Sequence, residues 1–243
     1  MVASSSAKTA KTEVDREPAS VEVMFDRIAH RYDLFNTLAS ASLDERWRRC
    51  LVTRVRRGAR VLDAGCGTGA LTFRLARQVG SSGRAVGIDI SDQMLRIARQ
   101  RTQRQGRADF LRASVLTLPF ADATFDYVTS AFVTRNIMAQ LDEVLVEVRR
   151  VLVPGGSLLF LDMTRPPRNR WLRSGYSWYV TRVLPGIGGT LYRDRDPFDY
   201  LARSIVGCID PDALSARIVG ARFERVRFEP LSGGLVGIHS AVK

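Results

Sequence analysis

The sequence is poor in the residues that build metal and disulfide sites. It has two histidines, His30 and His239, and three cysteines, Cys50, Cys66 and Cys208, set far apart with no Cys-x-x-Cys pair. That count excludes a disulfide scaffold and a zinc ribbon, leaves too few imidazoles for a histidine metal site, and fits a reducing compartment. No apolar run approaches the roughly 18 residues that span a bilayer. The opening stretch, residues 1–19, is small and polar, carries Glu13, Asp15 and Glu17, and lacks the apolar core of a secretory leader. These absences point to a soluble intracellular protein, with residues 1–19 as a flexible tail. Lysine is nearly missing too, since Lys8, Lys11 and Lys243 stand beside 34 arginines.

What is present is enough for a folded domain. In 243 residues, 45% are apolar and 26% charged, which excludes global disorder and allows one large α/β domain. The net charge of +12 attracts anionic partners, but the arginines form no block of five or six, so charge alone names no ligand.

The pattern along the chain gives the architecture. A helix is predicted from Ser20 to about His30, with Val21, Met24, Phe25 and Ile28 on one face, and a second from Leu43 to Arg57, stopped by Gly58. Short apolar strands then alternate with amphipathic segments. The strands are 60–63, 85–90, 109–113, 125–132 and 157–162; the helices are 71–79, one capped by Ser91 and ending at Gly106, and 141–152. Alternation of this kind implies right-handed crossovers and a buried parallel sheet. After a short helix at 211–220, runs 223–231 and 235–242 flank Ser232-Gly-Gly234 as an antiparallel hairpin at the sheet edge. The expected fold is a Rossmann-like α/β domain with a mostly parallel seven-stranded sheet and helices on both faces. It spans 20–243, with a helical cap at 20–58. Residues 165–207 hold seven of the 20 aromatics and read as a lid.

The chemistry centres on Asp63-Ala-Gly65-Cys-Gly67-Thr68-Gly69, at the end of the first strand and the start of a helix. Glycines there let a ligand approach the backbone, and the helix N-terminus offers N–H groups. Asp89 ends the second strand, where a carboxylate can take both hydroxyls of a ribose. The Gly-x-Gly-x-Gly spacing departs from the dinucleotide Gly-x-Gly-x-x-Gly. With the preceding acid it favours S-adenosylmethionine, which has an ammonium to pair and no pyrophosphate, over NAD(P) or a purely structural turn.

Several separated segments carry a closer likeness: Met24–Asn36, Trp47-Arg-Arg49, the glycine loop, Leu118-Pro-Phe120, Arg135-Asn136, Arg150–Gly156, Tyr200–Ile205 and Leu231–His239. Through them the chain resembles the UbiE-type ubiquinone/menaquinone biosynthesis C-methyltransferases over Val21–Lys243. The resemblance implies methylation of a ring carbon of a polyprenylated hydroquinone, with demethylmenaquinol-type acceptors favoured. It implies S-adenosylmethionine as donor, held by Asp63, Gly65, Gly67, Thr68, Gly69, Asp89, Ile90, Ser114, Val115 and Ala131. Arg135, Asn136 and Tyr32 become the candidate catalytic residues, and no metal is called for. Arg135 fits the stabiliser of a phenolate, because a guanidinium stays charged at every working pH. The departures are Ala70 and Ala131, where the family usually has Asp and Ser, and Ser114-Val115, where it usually has Asp-Ala. They motivate a second reading, a methyltransferase of another aromatic or lipid acceptor, and a third, a non-catalytic partner protein of this fold.

His239 reads as a satisfied edge-strand histidine, with a general base as the alternative. The lid aromatics either roof a prenyl groove and, with Trp171, Trp178, Arg165, Arg168, Arg170, Arg173 and Arg182, meet an anionic membrane, or form the lid's own core. A cytoplasmic enzyme touching the inner face of the membrane, with room for a homodimer, is the expected setting. A nucleic-acid methyltransferase is disfavoured, because Thr134–Ile137 stands where such enzymes place Asp/Asn-Pro-Pro-aromatic.

Overall fold

In a computed structural model, residues 18–105, 108–164, 170–194 and 196–243 are described. The expected tail up to residue 17, the helix stop at Gly106, and Arg165 and Arg168 lie outside these residues. So do the side chains of Arg170, Trp171 and Arg173.

Seven strands form one sheet in the order β3-β2-β1-β4-β5-β7-β6. They are β1 (Arg60–Ala64), β2 (Arg84–Asp89), β3 (Asp109–Arg112), β4 (Phe125–Ala131), β5 (Leu152–Met163), β6 (Glu224–Leu231) and β7 (Val236–Val242). The first five run parallel, and β7 pairs antiparallel with both β5 and β6. This is the Rossmann-like arrangement read from the strand–helix alternation. Two details differ. β5 begins five residues early, because Leu152 already pairs with Phe125 ahead of Pro154-Gly-Gly156 and the register then shifts. β7, which carries His239, is an inner strand, and β6 is the edge.

Helices cover both faces. Leu51, Leu71, Leu75 and Val79 of α3 (Leu43–Val52) and α4 (Ala70–Val79) pack on one face with Val61 and Leu159. Leu141, Val144, Leu145 and Val148 of α6 (Leu141–Val151), with Leu214 and Ile218 of α10 (Pro211–Gly220), bury the other face against Leu62, Val128 and Leu158. α5 (Asp92–Gln105) starts where expected, with the Ser91 hydroxyl accepting from the Met94 amide at 3.1 Å.

The N-terminal segment is more broken than its periodicity suggests. α1 (Pro18–Ile28) gives way to a 3-10 turn at Ala29–Arg31 and then to α2 (Tyr32–Ala39), a separate helix. The described residues of the lid are mainly helical, with α7 (Arg170–Trp178), a π-helical turn at Tyr179–Val183, α8 (Leu184–Tyr192) and α9 (Asp196–Val206). Its aromatics form a core with α1 and α2. Phe198 is fully buried, stacks 4.5 Å from Phe35 and 5.0 Å from Tyr192, and sits among Ile28, Val180 and Leu184. The Tyr179 and Tyr192 hydroxyls donate to the carbonyls of Ala39 and Ile28 at 2.5 and 2.6 Å. Among the described large hydrophobic side chains of the lid, Trp178 alone is exposed, at 64%.

Gly188 marks the tightest point of the lid, where a Cβ would sit 2.1 Å from the Phe198 ring. Overpacking of this kind costs about 1–3 kcal/mol. Gly188→Ala is therefore expected to raise amide hydrogen exchange across α8 and α9 while leaving β1, β4 and β5 as protected as in the parent chain.

Candidate active site

The carboxyl ends of β1, β2 and β4 open into a cleft of about 1160 Å³, mouth included, roofed by Val21 and Phe25 of α1 and Tyr32 of α2. This is where open α/β sheets bind ligands, outside the strand ends at the reversal of strand order. Its floor is the glycine loop. The amides of Gly65 and Cys66 both donate to the Ile88 carbonyl, at 2.9 and 2.8 Å, which staples the loop to β2. Gly65 takes φ +73°, and a Cβ there would lie 2.5 Å from Val133, so only glycine fits this turn.

Asp89 ties the loop to the next helix. One carboxylate oxygen accepts from the Gly67 amide at 2.8 Å and the other from the Ser91 amide at 3.0 Å. Desolvation raises its pKa, and these backbone donors pull the other way. Asp63 is fully buried beside it and accepts from the Thr72 hydroxyl at 2.6 Å; burial pushes its pKa up to about 6. Thr68 donates to Asp33 at 2.7 Å, and Arg101 pairs with the same carboxylate, so α2 is locked over the loop. Asp26 of α1 adds a second tie, accepting from the Ser91 hydroxyl at 2.5 Å.

Most of the residues singled out in the sequence therefore meet in one place. Tyr32, Asp63, Gly65, Gly67, Thr68, Asp89, Ile90, Ser114, Val115, Ala131 and Asn136 all line the cleft. Gly69 does not; it packs behind the loop, where a Cβ would meet Phe110 and Phe73 within 3 Å. The Ser114 hydroxyl accepts from the Leu116 amide at 3.2 Å and shapes the turn on which it sits. His239 is remote from the cleft, with Nε2 at 3.1 Å from the Pro211 carbonyl and its ring 4.8 Å from Phe228. Burial lowers its pKa, as befits a packed neutral imidazole.

Arg135 is not among the cleft-lining residues. It sits on the 3-10 turn Thr134–Asn136 after β4, within electrostatic reach of Asp162, Tyr176 and Cys208. Three buried polar atoms here have no hydrogen-bond partner among the described residues: Arg135 Nε, Asn136 Oδ1 and the Tyr176 hydroxyl. Orphans are rare in folded proteins, and three together mark a place built to receive polar groups. Sequence reasoning missed Tyr176 and Asp162. It also missed Arg48, which lines the cleft. For Arg48 a signal existed, since it lies four residues before the buried Val52 on α3.

Asp162, at the end of β5, is buried and accepts from the Thr134 hydroxyl. Desolvation pushes its pKa up to about 7, against the lowering effect of Thr134 and Arg135. The unfolded chain ionises this group near pH 4, whereas the folded chain holds the proton to about 7. Folding is therefore penalised progressively as pH rises through that interval, and the penalty levels off above it. Asp162→Asn keeps the acceptor for Thr134 and removes the titration. The variant's melting temperature relative to the parent is expected to rise by about 5 °C or more between pH 5 and pH 8.5, measured by differential scanning calorimetry. A gap independent of pH would show that Asp162 ionises normally.

Comparison with known proteins agrees with this geometry. The model of the ubiE/COQ5 methyltransferase family matches residues 11–243. A ubiquinone/menaquinone biosynthesis C-methyltransferase UbiE of Azotobacter vinelandii is 39% identical, over 92% of this chain and 89% of its own. The protein of the same name from Marinomonas sp. is 36% identical, over 94% and 92%. Among solved structures, a SAM-dependent methyltransferase from Thermotoga maritima superposes with a TM-score of 0.63 at 18% identity, covering 91% of this chain and 99% of that one, a likeness of fold. The glycine loop, the acid at the end of β2 and the antiparallel β6–β7 pair thus stand in a chain that belongs, over nearly its whole length, to the ubiE/COQ5 family of S-adenosylmethionine-dependent methyltransferases.

Proposed function

We propose that this protein methylates a ring carbon of a prenylated hydroquinone, with a demethylmenaquinol-type acceptor preferred. The observation that carries the reading is the trio of orphaned polar atoms, Arg135 Nε, Asn136 Oδ1 and Tyr176 OH, beside the cofactor cleft and under an apolar lid. A hydroquinone brings two hydroxyls to such a place and an apolar ring and tail to the lid. The names borne by the curated relatives support the same acceptor class.

The residues present fit S-adenosylmethionine, which when bound supplies an electrophilic methyl on a sulfonium. Asp89 faces the cleft with both oxygens already oriented by backbone donors, as a ribose-binding carboxylate requires. Ile90, Ser114 and Val115 line the β2–β3 side for the adenine, and Asp63 with the amides of the loop serves the amino-acid end.

An aromatic carbon is a poor nucleophile until an adjacent hydroxyl loses its proton to solvent and pushes charge into the ring. When the carbon takes the methyl from the sulfonium, its own C–H proton leaves to solvent and aromaticity returns. Arg135 stabilises that phenolate, a contact stronger in the transition state than in the ground state. Asn136 and Tyr32, both facing the cleft, orient the ring against the donor. Tyr176, whose pKa burial raises, stays protonated and donates to the second ring oxygen. We assign contact with an anionic membrane to Trp178 and Arg182, both exposed at the end of α7 and the turn that follows it. No described helix is long and apolar enough to cross a membrane.

The test is incubation with methyl-labelled S-adenosylmethionine and reduced demethylmenaquinol, a demethoxyubiquinol-type acceptor or a non-quinone phenol, with products identified by mass spectrometry. Label on a ring carbon of the demethylmenaquinol is expected. Label on oxygen, or only on the non-quinone phenol, would contradict the proposal and favour the second acceptor class. In the same assay Arg135→Ala should lower turnover by about 100- to 1,000-fold with donor affinity nearly intact. Raising the pH should restore part of that rate. Equal losses in rate and donor affinity would make Arg135 structural.

A further inference from the structure

We infer that Arg48 binds an α-amino-acid carboxylate, that of the methyl donor, and thereby selects donors that carry one. The inference rests on the methyltransferase reading above and extends it to a residue outside the glycine loop.

The strand order lays out the cleft from side to side. β2 and β3 bring Asp89 and Ser114 to one side, where the nucleoside belongs, and β1 and β4 bring Asp63 and Phe132 to the other. Arg48 enters on this second side from α3. Its guanidinium carbon lies 5.3 Å from the centroid of the Phe132 ring, and its charge draws the pKa of Asp63 down against the effect of burial. The cation therefore stands where the amino-acid end of the donor would lie, beside the acid suited to its ammonium. A zwitterion needs one partner of each sign, and the described residues supply them as Arg48 and Asp63.

The state of Arg48 fits a ligand-binding role better than a purely structural one. Its side chain is only 9% exposed, yet it borders the cleft. Its ion pair with Asp44 runs from Nη1 to a single carboxylate oxygen, because the other oxygen of Asp44 accepts from the Ser40 hydroxyl at 2.8 Å. Asp44 therefore holds the guanidinium in place without engaging it bidentately. A guanidinium has five N–H donors in a planar fork matched to a carboxylate, so one oxygen of Asp44 leaves capacity for a second anion. The guanidinium lies over the Phe132 ring, which in turn packs edge-on against Trp47 with centroids 6.2 Å apart, so the face on which Arg48 rests is itself held.

The test is titration calorimetry on the full chain with S-adenosylmethionine and its decarboxylated analogue, which keeps the ammonium, sulfonium and nucleoside. The parent chain is expected to bind S-adenosylmethionine at least about tenfold more tightly than the analogue, the value of a charge-assisted pair. Arg48→Ala should erase that ratio while leaving affinity for the analogue unchanged, and Arg48→Lys, which keeps charge but loses the fork, should retain part of it. The comparison of the two ligands on the parent chain stands even if the alanine variant fails to fold. Equal affinity of the parent for both ligands would overturn the inference and leave the methyltransferase reading intact, as would an Arg48→Lys variant with a full parental ratio. A parent chain that binds neither ligand would overturn both.

Discussion

The site hangs on one carboxylate. Asp89 receives the Gly67 amide on one oxygen and the Ser91 amide on the other, joining the glycine loop to the start of α5. The loop's other hydrogen bonds to β2 among the described residues are the two amides that share the Ile88 carbonyl. Buried backbone donors need partners, and a carboxylate taking two of them is a stronger anchor than neutral acceptors would be. The arrangement also aims Asp89. A carboxylate with its near side occupied by amides turns its remaining lone pairs toward the cleft, where a ribose would meet them.

Around this bridge the N-terminal segment is pinned by polar ties. Asp26, Asp33 and Glu22 reach from α1 and α2 to Ser91, Thr68 and Arg112 respectively. Each tie ends on the glycine loop or on residues next to Asp89 or β3, so the roof and the floor of the cleft are one polar network. The lid closes the assembly by a different kind of force. Phe198, Phe35 and Tyr192 bury an aromatic cluster between lid and roof, so lid order and cleft order are coupled through apolar packing. Tyr176 packs against this apolar cluster with its hydroxyl buried and unpartnered among the described residues, within electrostatic reach of Arg135.

Much of this was legible in the chain. The strand–helix alternation, the glycine loop, the Ser91 cap and the terminal hairpin rest on local chemistry, and the structure reproduces them to within a few residues. The features that were not legible depend on distant partners. Periodicity carried the first helix to about His30 and gave no helix over Tyr32–Ala39, whereas the chain turns at Ala29–Arg31 so that Asp33 of that second helix reaches Thr68, 35 residues away. The lid's helices carry Gly186, Gly188 and Gly189, which argue locally against helix; close packing on Phe198 overrides that preference. Asp162 ends an ordinary buried strand, and only its burial beside Thr134 makes its proton unusual. A terminal hairpin suited an edge histidine at 239, but the strand order β5-β7-β6 places that strand inside the sheet.

The central claim is that the loop, with Asp89 as its anchor, cradles S-adenosylmethionine. The direct measurement is calorimetric titration of the donor into the parent chain and into Asp89→Ala, with folding of both verified by circular dichroism. Loss of charge-assisted hydrogen bonds to the ribose, together with release of the Gly67 amide, should weaken donor binding by at least about tenfold in a folded variant. Unchanged affinity in a folded Asp89→Ala protein would contradict the account, because the cleft would then hold its ligand without the residue that organises it.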